Sequence, residues 1–183
     1  DGGVHSVLRH LYGLLKIFKN NNIQDVCIHF FADGRDTAPK SGVKFLSEIE
    51  NKLKEIGIGR IATVSGRFWA MDRDKRWDRV ERAYDCLTGN EALQSNSAHE
   101  ALLNYYNNPI SDKQQGDEFV LPTQIVDKNG TFTGNISNGD AVIFFNYRGD
   151  RPRELTRAFI DKEFDGFERK TVVDVYYATM TEY

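Results

Sequence analysis

Two spacings of apolar residues alternate along this chain. From Val4 to Phe18 the apolar positions Val4, Val7, Leu8, Leu11, Leu14, Leu15 and Phe18 recur every three or four residues, which lays one stripe along a helix. Asn20, Asn21 and Asn22 end that pattern. Val26 to Ala32 is almost continuously apolar, as a parallel strand covered on both faces should be. A second helical stripe runs from Ser41 to Ile56, with Val43, Leu46, Ile49, Leu53 and Ile56 inward. The β-branched run Arg60–Val64 reads as another buried strand. Helices are expected again over Arg76–Leu87 and Ser97–Asn107. Strands alternating with helices predict an α/β fold: a mostly parallel sheet flanked by helices on both faces.

The rhythm then breaks. Phe119–Pro122 leads into Gln124-Ile125-Val126, and Asn129-Gly130 follows, a strong turn signal between short β-prone runs. With Thr131–Thr133 returning, this predicts a small antiparallel hairpin excursion. Ala141–Asn146 restores the buried-strand pattern, and Pro152 suits the first turn of a helix reaching Ile160. Thr171–Tyr177 reads as a last strand, and Ala178–Tyr183 as an exit linker.

Composition narrows the classes. The chain has 183 residues, 40% hydrophobic and 28% charged, which is long enough for one domain with a sizeable core and argues against disorder. A net charge of −3 argues against a general nucleic-acid or anionic-membrane binder, so any basic site must be local. Cys27 and Cys86 lack metal-ligand spacing and suggest a reducing compartment, hence a cytoplasmic protein. The start at Asp1-Gly2-Gly3 without methionine suggests a piece of something longer.

Candidate chemistry lies at strand ends. Asp33–Ser41 resembles a phosphate-binding P-loop but carries Pro39 where the second glycine belongs, and proline offers no N–H to a phosphate. What remains is an Asp-Gly turn presenting Arg35, suited to an anion, beside Asp36, suited to moving a hydroxyl proton. Ser65–Trp77, reading S-G-R-F-W-A-M-D-R-D-K-R-W, supplies Arg67 and Arg73, and Arg148 and Arg151 follow the strand at Ala141–Asn146. His5 falls in the expected first helical turn, where free N–H groups favour an anion. If the strands are parallel neighbours, these arginines converge on one rim. Five guanidinium groups gathered in an acidic protein repel one another, and an anionic ligand offsets that repulsion. The guanidinium fork suits carboxylate and phosphate oxygens alike.

Four motifs, D-G-G-V-H-S (Asp1–Ser6), D-G-R-D-T (Asp33–Thr37), the Ser65–Trp77 run and F-F-N-Y-R-G-D-R (Phe144–Arg151), occur in an order that resembles cofactor-independent (2,3-bisphosphoglycerate-independent) phosphoglycerate mutase. The resemblance spans essentially the whole chain. It implies residues 1–177 as a substrate-binding α/β domain, incomplete at its N-terminus. Residues 178–183 would then lead back to an absent phosphatase-like domain holding two manganese or similar divalent ions and a nucleophilic serine. By the same resemblance His5, Arg35, Asp36, Arg67, Arg73, Arg148 and Arg151 bind 3-phosphoglycerate or 2-phosphoglycerate, and Asp36 handles the hydroxyl proton. This chain would hold no metal itself, need no 2,3-bisphosphoglycerate, act as part of a monomer, and be inactive alone. The competing reading is a non-catalytic module that binds anions or phosphosugars.

Overall fold

The computed structural model describes residues 2–183; Asp1, the first residue of the expected Asp-Gly-Gly turn, lies outside them. Helix α1 spans Leu8–Asn20, strand β1 Cys27–Ala32, helix α2 Gly42–Ile56 and strand β2 Arg60–Gly66. A single helical turn α3 (Arg67–Ala70) follows, then α4 (Trp77–Leu87), β3 (Leu93–Ser95) and α5 (Ala98–Asn107). A 3-10 turn at Asp117–Phe119 precedes β4 (Thr123–Ile125); β5 (Ala141–Phe144), α6 (Arg153–Ile160) and β6 (Tyr176–Thr179) complete the order.

The strands form two sheets. One has the order β1-β2-β4-β3, with β1 parallel to β2, β3 parallel to β4, and β4 antiparallel to β2. The other pairs β5 with β6 in parallel. The molecule is therefore α/β with mostly parallel pairing. The antiparallel excursion exists, but not as a hairpin: β4 pairs with β2 and β3, and Thr131–Thr133 forms no strand. The Asn-Gly turn closes locally, through the Gly130 N–H on the Asp127 carbonyl at 3.0 Å, and partners already in place on both edges of β4 leave no edge for a return strand. The final strand is likewise displaced from Thr171–Tyr177 to Tyr176–Thr179, where it meets β5.

Apolar stripes on the helices and runs on the strands meet in two clusters. Leu15, Leu46, Ile49 and Leu102, all within 1% of full burial, join β1 and Val64 in the first. Tyr84, Val80, Leu155 and Ala158 form the second with Trp69. Burying each such large side chain contributes roughly 1.5–3 kcal/mol. A mainly apolar cavity of about 590 Å³ lies between α1, β1 and β5, with Gly2 to His5 and Arg67 at its polar end.

Candidate functional site

Three backbone features place the side chains of interest. First, α1 begins later than the apolar stripe suggests: Val7 is extended at φ −136°, so His5 stands in the loop ahead of the helix and not in its first turn. Its carbonyl accepts the Tyr147 N–H at 2.7 Å, which ties this loop to the segment after β5. Second, β1 ends in the Asp-Gly turn. Gly34 has φ +68°, and a Cβ there would lie 2.8 Å from the Glu118 nitrogen. Asp33 Oδ1 holds the turn by accepting the N–H groups of Arg35 and Asp36, each at 3.0 Å. Third, β2 runs two residues further than its β-branched stretch, to Gly66, where a Cβ would overlap the Glu118 carbonyl. Arg67 follows at once as the first residue of α3.

Arg67 is the centre of the arrangement. It is 4% exposed, and Nη1 donates to Asp33 Oδ1 at 2.6 Å and to Asp36 Oδ2 at 2.7 Å. Its Nη2 lies 3.4 Å from His5 Nε2, and that nitrogen lies 3.8 Å from Asp36 Oδ2. Burial works against the Arg67 charge, but Asp36 and Asp33 outweigh it and hold the guanidinium above its ordinary range. The same exchange acts on Asp33: burial pushes it up, and the N–H groups of Asp36 and Arg35 with Arg67 bring it below the usual carboxylate range. His5 is pushed below its ordinary value by burial and then by Arg67. Arg67 Nε and His5 Nδ1 are buried without a hydrogen-bond partner among the described residues. Polar groups so buried are ordinarily satisfied, so the Arg67 Nε–H is a donor in want of an acceptor and His5 Nδ1 is open to a partner.

The second group lies beyond β5. Asp150 Oδ2 accepts from Arg73 Nη1 at 2.6 Å, and Arg148 Nε lies 2.9 Å from Oδ1 as an ion pair. Both arginines are about half exposed. Arg151 donates to the Met71 carbonyl at 3.0 Å. Burial and then the charges of Arg67, Arg73 and Arg35 depress its guanidinium, with Asp150 opposing. His5 likewise feels Arg67, Asp150, Arg148 and Asp36. These mutual fields exist because His5, Arg35, Asp36, Arg67, Arg73, Arg148 and Arg151 stand on one rim. They come there from two sheets and a loop, not from three neighbouring parallel strands, since among the described residues β5 pairs only with β6. Arg35 is the outlier, 61% exposed and turned to Glu118 Oε1 at 3.2 Å.

Sequence reasoning passed over the carboxylates that hold these cations. Asp33 and Asp150 had a signal: each sits beside the arginine motif it serves, Asp33 in an Asx turn and Asp150 between Arg148 and Arg151. Glu118 and Asp117 had none, being far from their partners in the chain. Asp117 is 1% exposed, accepts the Gly42 N–H at 2.7 Å and the Tyr106 hydroxyl, and so anchors the turn that Gly34 and Gly66 pack against. The aromatic pair is structural. Trp69 Nε1 donates to the Phe119 carbonyl at 3.1 Å, and the Arg79 guanidinium lies over Phe68 at 3.8 Å.

Among the described residues, no group of three or more His, Cys, Asp or Glu is arranged to hold a metal ion. Both cysteines are free thiols, and burial pushes Cys86 up to about 12. The arrangement offers cations, an unpartnered Arg67 N–H and an adjacent carboxylate. That chemistry suits a small polyanion and the relay of one proton.

Comparison with known proteins agrees with that chemistry. The family model described as BPG-independent PGAM N-terminus matches residues 1–183. The chain is 51% identical over 183 residues to a 2,3-bisphosphoglycerate-independent phosphoglycerate mutase of Clostridium beijerinckii, covering all of this chain and 34% of that protein. It is 50% identical to the Acetivibrio thermocellus enzyme of the same description, over 35% of its length. Among solved structures, Leishmania mexicana phosphoglycerate mutase, crystallised at low cobalt concentration, superposes with a TM-score of 0.92 at 34% identity, over 98% of this chain and 33% of that one. The chain thus spans about a third of the length of the curated relatives it matches. A family model that runs the full length of the chain, with half of all positions identical in its relatives, makes it a member of the BPG-independent phosphoglycerate mutase N-terminal domain family.

Proposed function

We propose that this chain is the phosphoglycerate-binding part of a mutase that interconverts 3-phosphoglycerate and 2-phosphoglycerate in glycolysis and gluconeogenesis. The observation that carries the reading is the rim itself: His5 and five arginines, of which Arg35, Arg67, Arg73 and Arg148 are now paired with Asp33, Asp36, Glu118 or Asp150 while Arg151 donates to the Met71 carbonyl. An incoming phosphate and carboxylate would take over donors that these side chains now occupy in part. Each charge-assisted hydrogen bond gained contributes roughly 1.5–3 kcal/mol. His5 and the arginines hold the two anionic groups of the substrate. Asp36, already oriented by Arg67, faces a glycerate hydroxyl and carries its proton.

In this reading the phosphoryl group passes to a serine outside this sequence. The substrate oxygen that loses it gains a proton, and the retained glycerate turns before its other hydroxyl takes the phosphoryl back. Positioning and charge stabilisation do most of the catalytic work. In this reading the two manganese or similar divalent ions are held with that serine, in a part of the protein related to alkaline phosphatase. The substrate-binding domain extends over residues 1–177, with helices on both faces of its sheets, and residues 178–183 lead onward. The whole protein works as a cytoplasmic monomer without nucleic-acid or membrane partners. This chain's net charge of −3 disfavours a general nucleic-acid or anionic-membrane binder, and no helix among the described residues is long and apolar enough to cross a membrane.

The test is calorimetric titration of the full-length protein with 3-phosphoglycerate, together with a coupled assay for 2-phosphoglycerate in the presence of manganese. Saturable binding and turnover are expected, with no turnover from residues 1–183 alone. A full-length protein that neither binds nor converts 3-phosphoglycerate would end the reading.

A further inference from the structure

Beneath Arg73 lies a second pair of carboxyl groups that the rim described above does not use. Asp72 is 4% exposed, and Glu154, in the first turn of α6, is 7% exposed. Asp72 Oδ2 accepts the N–H groups of Asp74 at 2.9 Å and Arg76 at 3.0 Å, and Oδ1 accepts Arg79 Nη1 at 3.1 Å. Glu154 Oε1 accepts the Lys75 N–H at 2.9 Å. Three successive N–H groups just after Arg73 are therefore held by two side chains. The turn needs that hold, because Lys75 has φ +57°, a left-handed conformation that costs a non-glycine residue free energy.

The two carboxyl groups are neighbours, since Glu154 holds the Lys75 N–H between the Asp74 and Arg76 N–H groups that Asp72 holds, and Glu154 Oε2 is buried with no hydrogen-bond partner among the described residues. Carboxylates that close do not both ionise. Asp72 accepts three donors and Glu154 only one. Burial and then Asp72 and Asp74 push Glu154 above the ordinary glutamate range, against the Lys75 N–H. As a neutral acid, Glu154 leaves no atom unsatisfied: Oε2–H donates to Asp72 and Oε1 accepts from Lys75. Arg79, which also lies over Phe68 at 3.8 Å, links the pair to α3 and thereby to Arg67.

We propose that Glu154 is a positioning residue for phosphoglycerate: a protonated acid, bonded to Asp72, that holds the 72–76 turn so that Arg73 faces the anion pocket. The inference rests on the substrate reading above and deepens it. Glu154 touches no substrate and acts only through Arg73.

The experiment uses the full-length protein, 3-phosphoglycerate and four variants: Glu154→Gln, Glu154→Ala, Arg73→Ala, and the double variant of Arg73→Ala with Glu154→Ala. Glutamine reproduces the neutral acid, its NH2 donating to Asp72 and its C=O accepting from Lys75. Glu154→Gln is expected within about twofold of wild type in kcat and KM, whereas Glu154→Ala, by letting Arg73 drift, lowers kcat/KM by about tenfold or more, mostly through KM. In the Arg73→Ala background the same alanine change should add less than about twofold. The infrared C=O stretch of a protonated carboxylic acid at neutral pH should be present in wild type and lost in Glu154→Gln, a readout that holds even if Glu154→Ala does not fold. A Glu154→Gln protein as impaired as Glu154→Ala, full additivity with Arg73→Ala, or an unchanged infrared band would each overturn the proposal. A wild-type protein that does not bind 3-phosphoglycerate overturns the substrate reading as well, whereas a wild type that binds with Glu154→Ala unimpaired overturns this inference alone.

Discussion

Arg67 and Arg73 belong to one motif, yet the first is 4% exposed and held by two carboxylates while the second is 43% exposed and shares one carboxylate with Arg148. Arg67 follows directly on a buried strand, Arg73 follows an irregular turn. A buried guanidinium persists only while its counter-charges are in place, because desolvation would otherwise make it unfavourable. Arg67 is therefore as much a part of the fold as of the site. The exposed pair around Asp150 contributes little to stability, since solvent screens such contacts. It is free to exchange Asp150 for a ligand's oxygens. One side of the rim is fixed by buried counter-charges, and the other, exposed side is adjustable.

Breaking the buried side should have the largest effect. Arg67→Met leaves Asp33 and Asp36 facing each other without their cation, and is expected to lose about 3–5 kcal/mol of stability as well as substrate binding. Denaturant unfolding and titration with 3-phosphoglycerate measure the two losses; binding lost with stability unchanged would put Arg67 in the adjustable class. Arg73→Ala should do the reverse. Its denaturant midpoint should stay near wild type, while affinity for 3-phosphoglycerate weakens by about 1.5–3 kcal/mol, equal to one or more charge-assisted hydrogen bonds. A large stability loss there would erase the distinction. Gly66→Ala tests whether the buried side depends on close backbone contact. With Glu118 main-chain atoms in the path of the new Cβ, it should cost about 1–3 kcal/mol and displace Arg67.

The smallest expected effect sharpens the comparison by asking whether the two sides feel each other. His5 should titrate below 6.5 in an NMR pH series, since burial and Arg67 lower it. Arg148→Ala should raise that value slightly and Asp150→Asn should lower it, because Arg148 opposes the imidazolium and Asp150 favours it. The sign for stability follows. The unfolded chain takes up this proton near pH 6.5 and the folded chain only at lower pH, so His5 destabilises the fold as pH falls through that window. Insensitivity of His5 to both substitutions would separate the sides.

Much of this arrangement was legible one residue at a time. Stripe spacing located α1, α2, α4 and α5 to within a few residues, and apolar runs located β1 and β2, because those elements bury a face whose period the chain itself carries. The residues of the rim were legible as charges stranded at strand ends. The antiparallel β4 pairing was legible only as a break in rhythm, and Thr131–Thr133 misled because an Asn-Gly turn specifies a reversal but not a partner for the strand after it. His5 misled because the apolar stripe starts before the helix does; Val4, in a bend, and Val7, in extended backbone, continue the spacing ahead of it.

By its own order of residues this chain determined an α/β alternation, the strand ends that carry arginines, and the motifs that mark its family. Such features are local, set by periodicity and by which side chains follow which strand. Only the tertiary structure decided that Arg67 is buried between Asp33 and Asp36, that Glu118 meets Arg35, and that Glu154 closes the turn behind Arg73. Those pairings join residues 31 to 83 positions apart, and the choice of partner rests on desolvation and charge, which act through space and leave no period in the sequence.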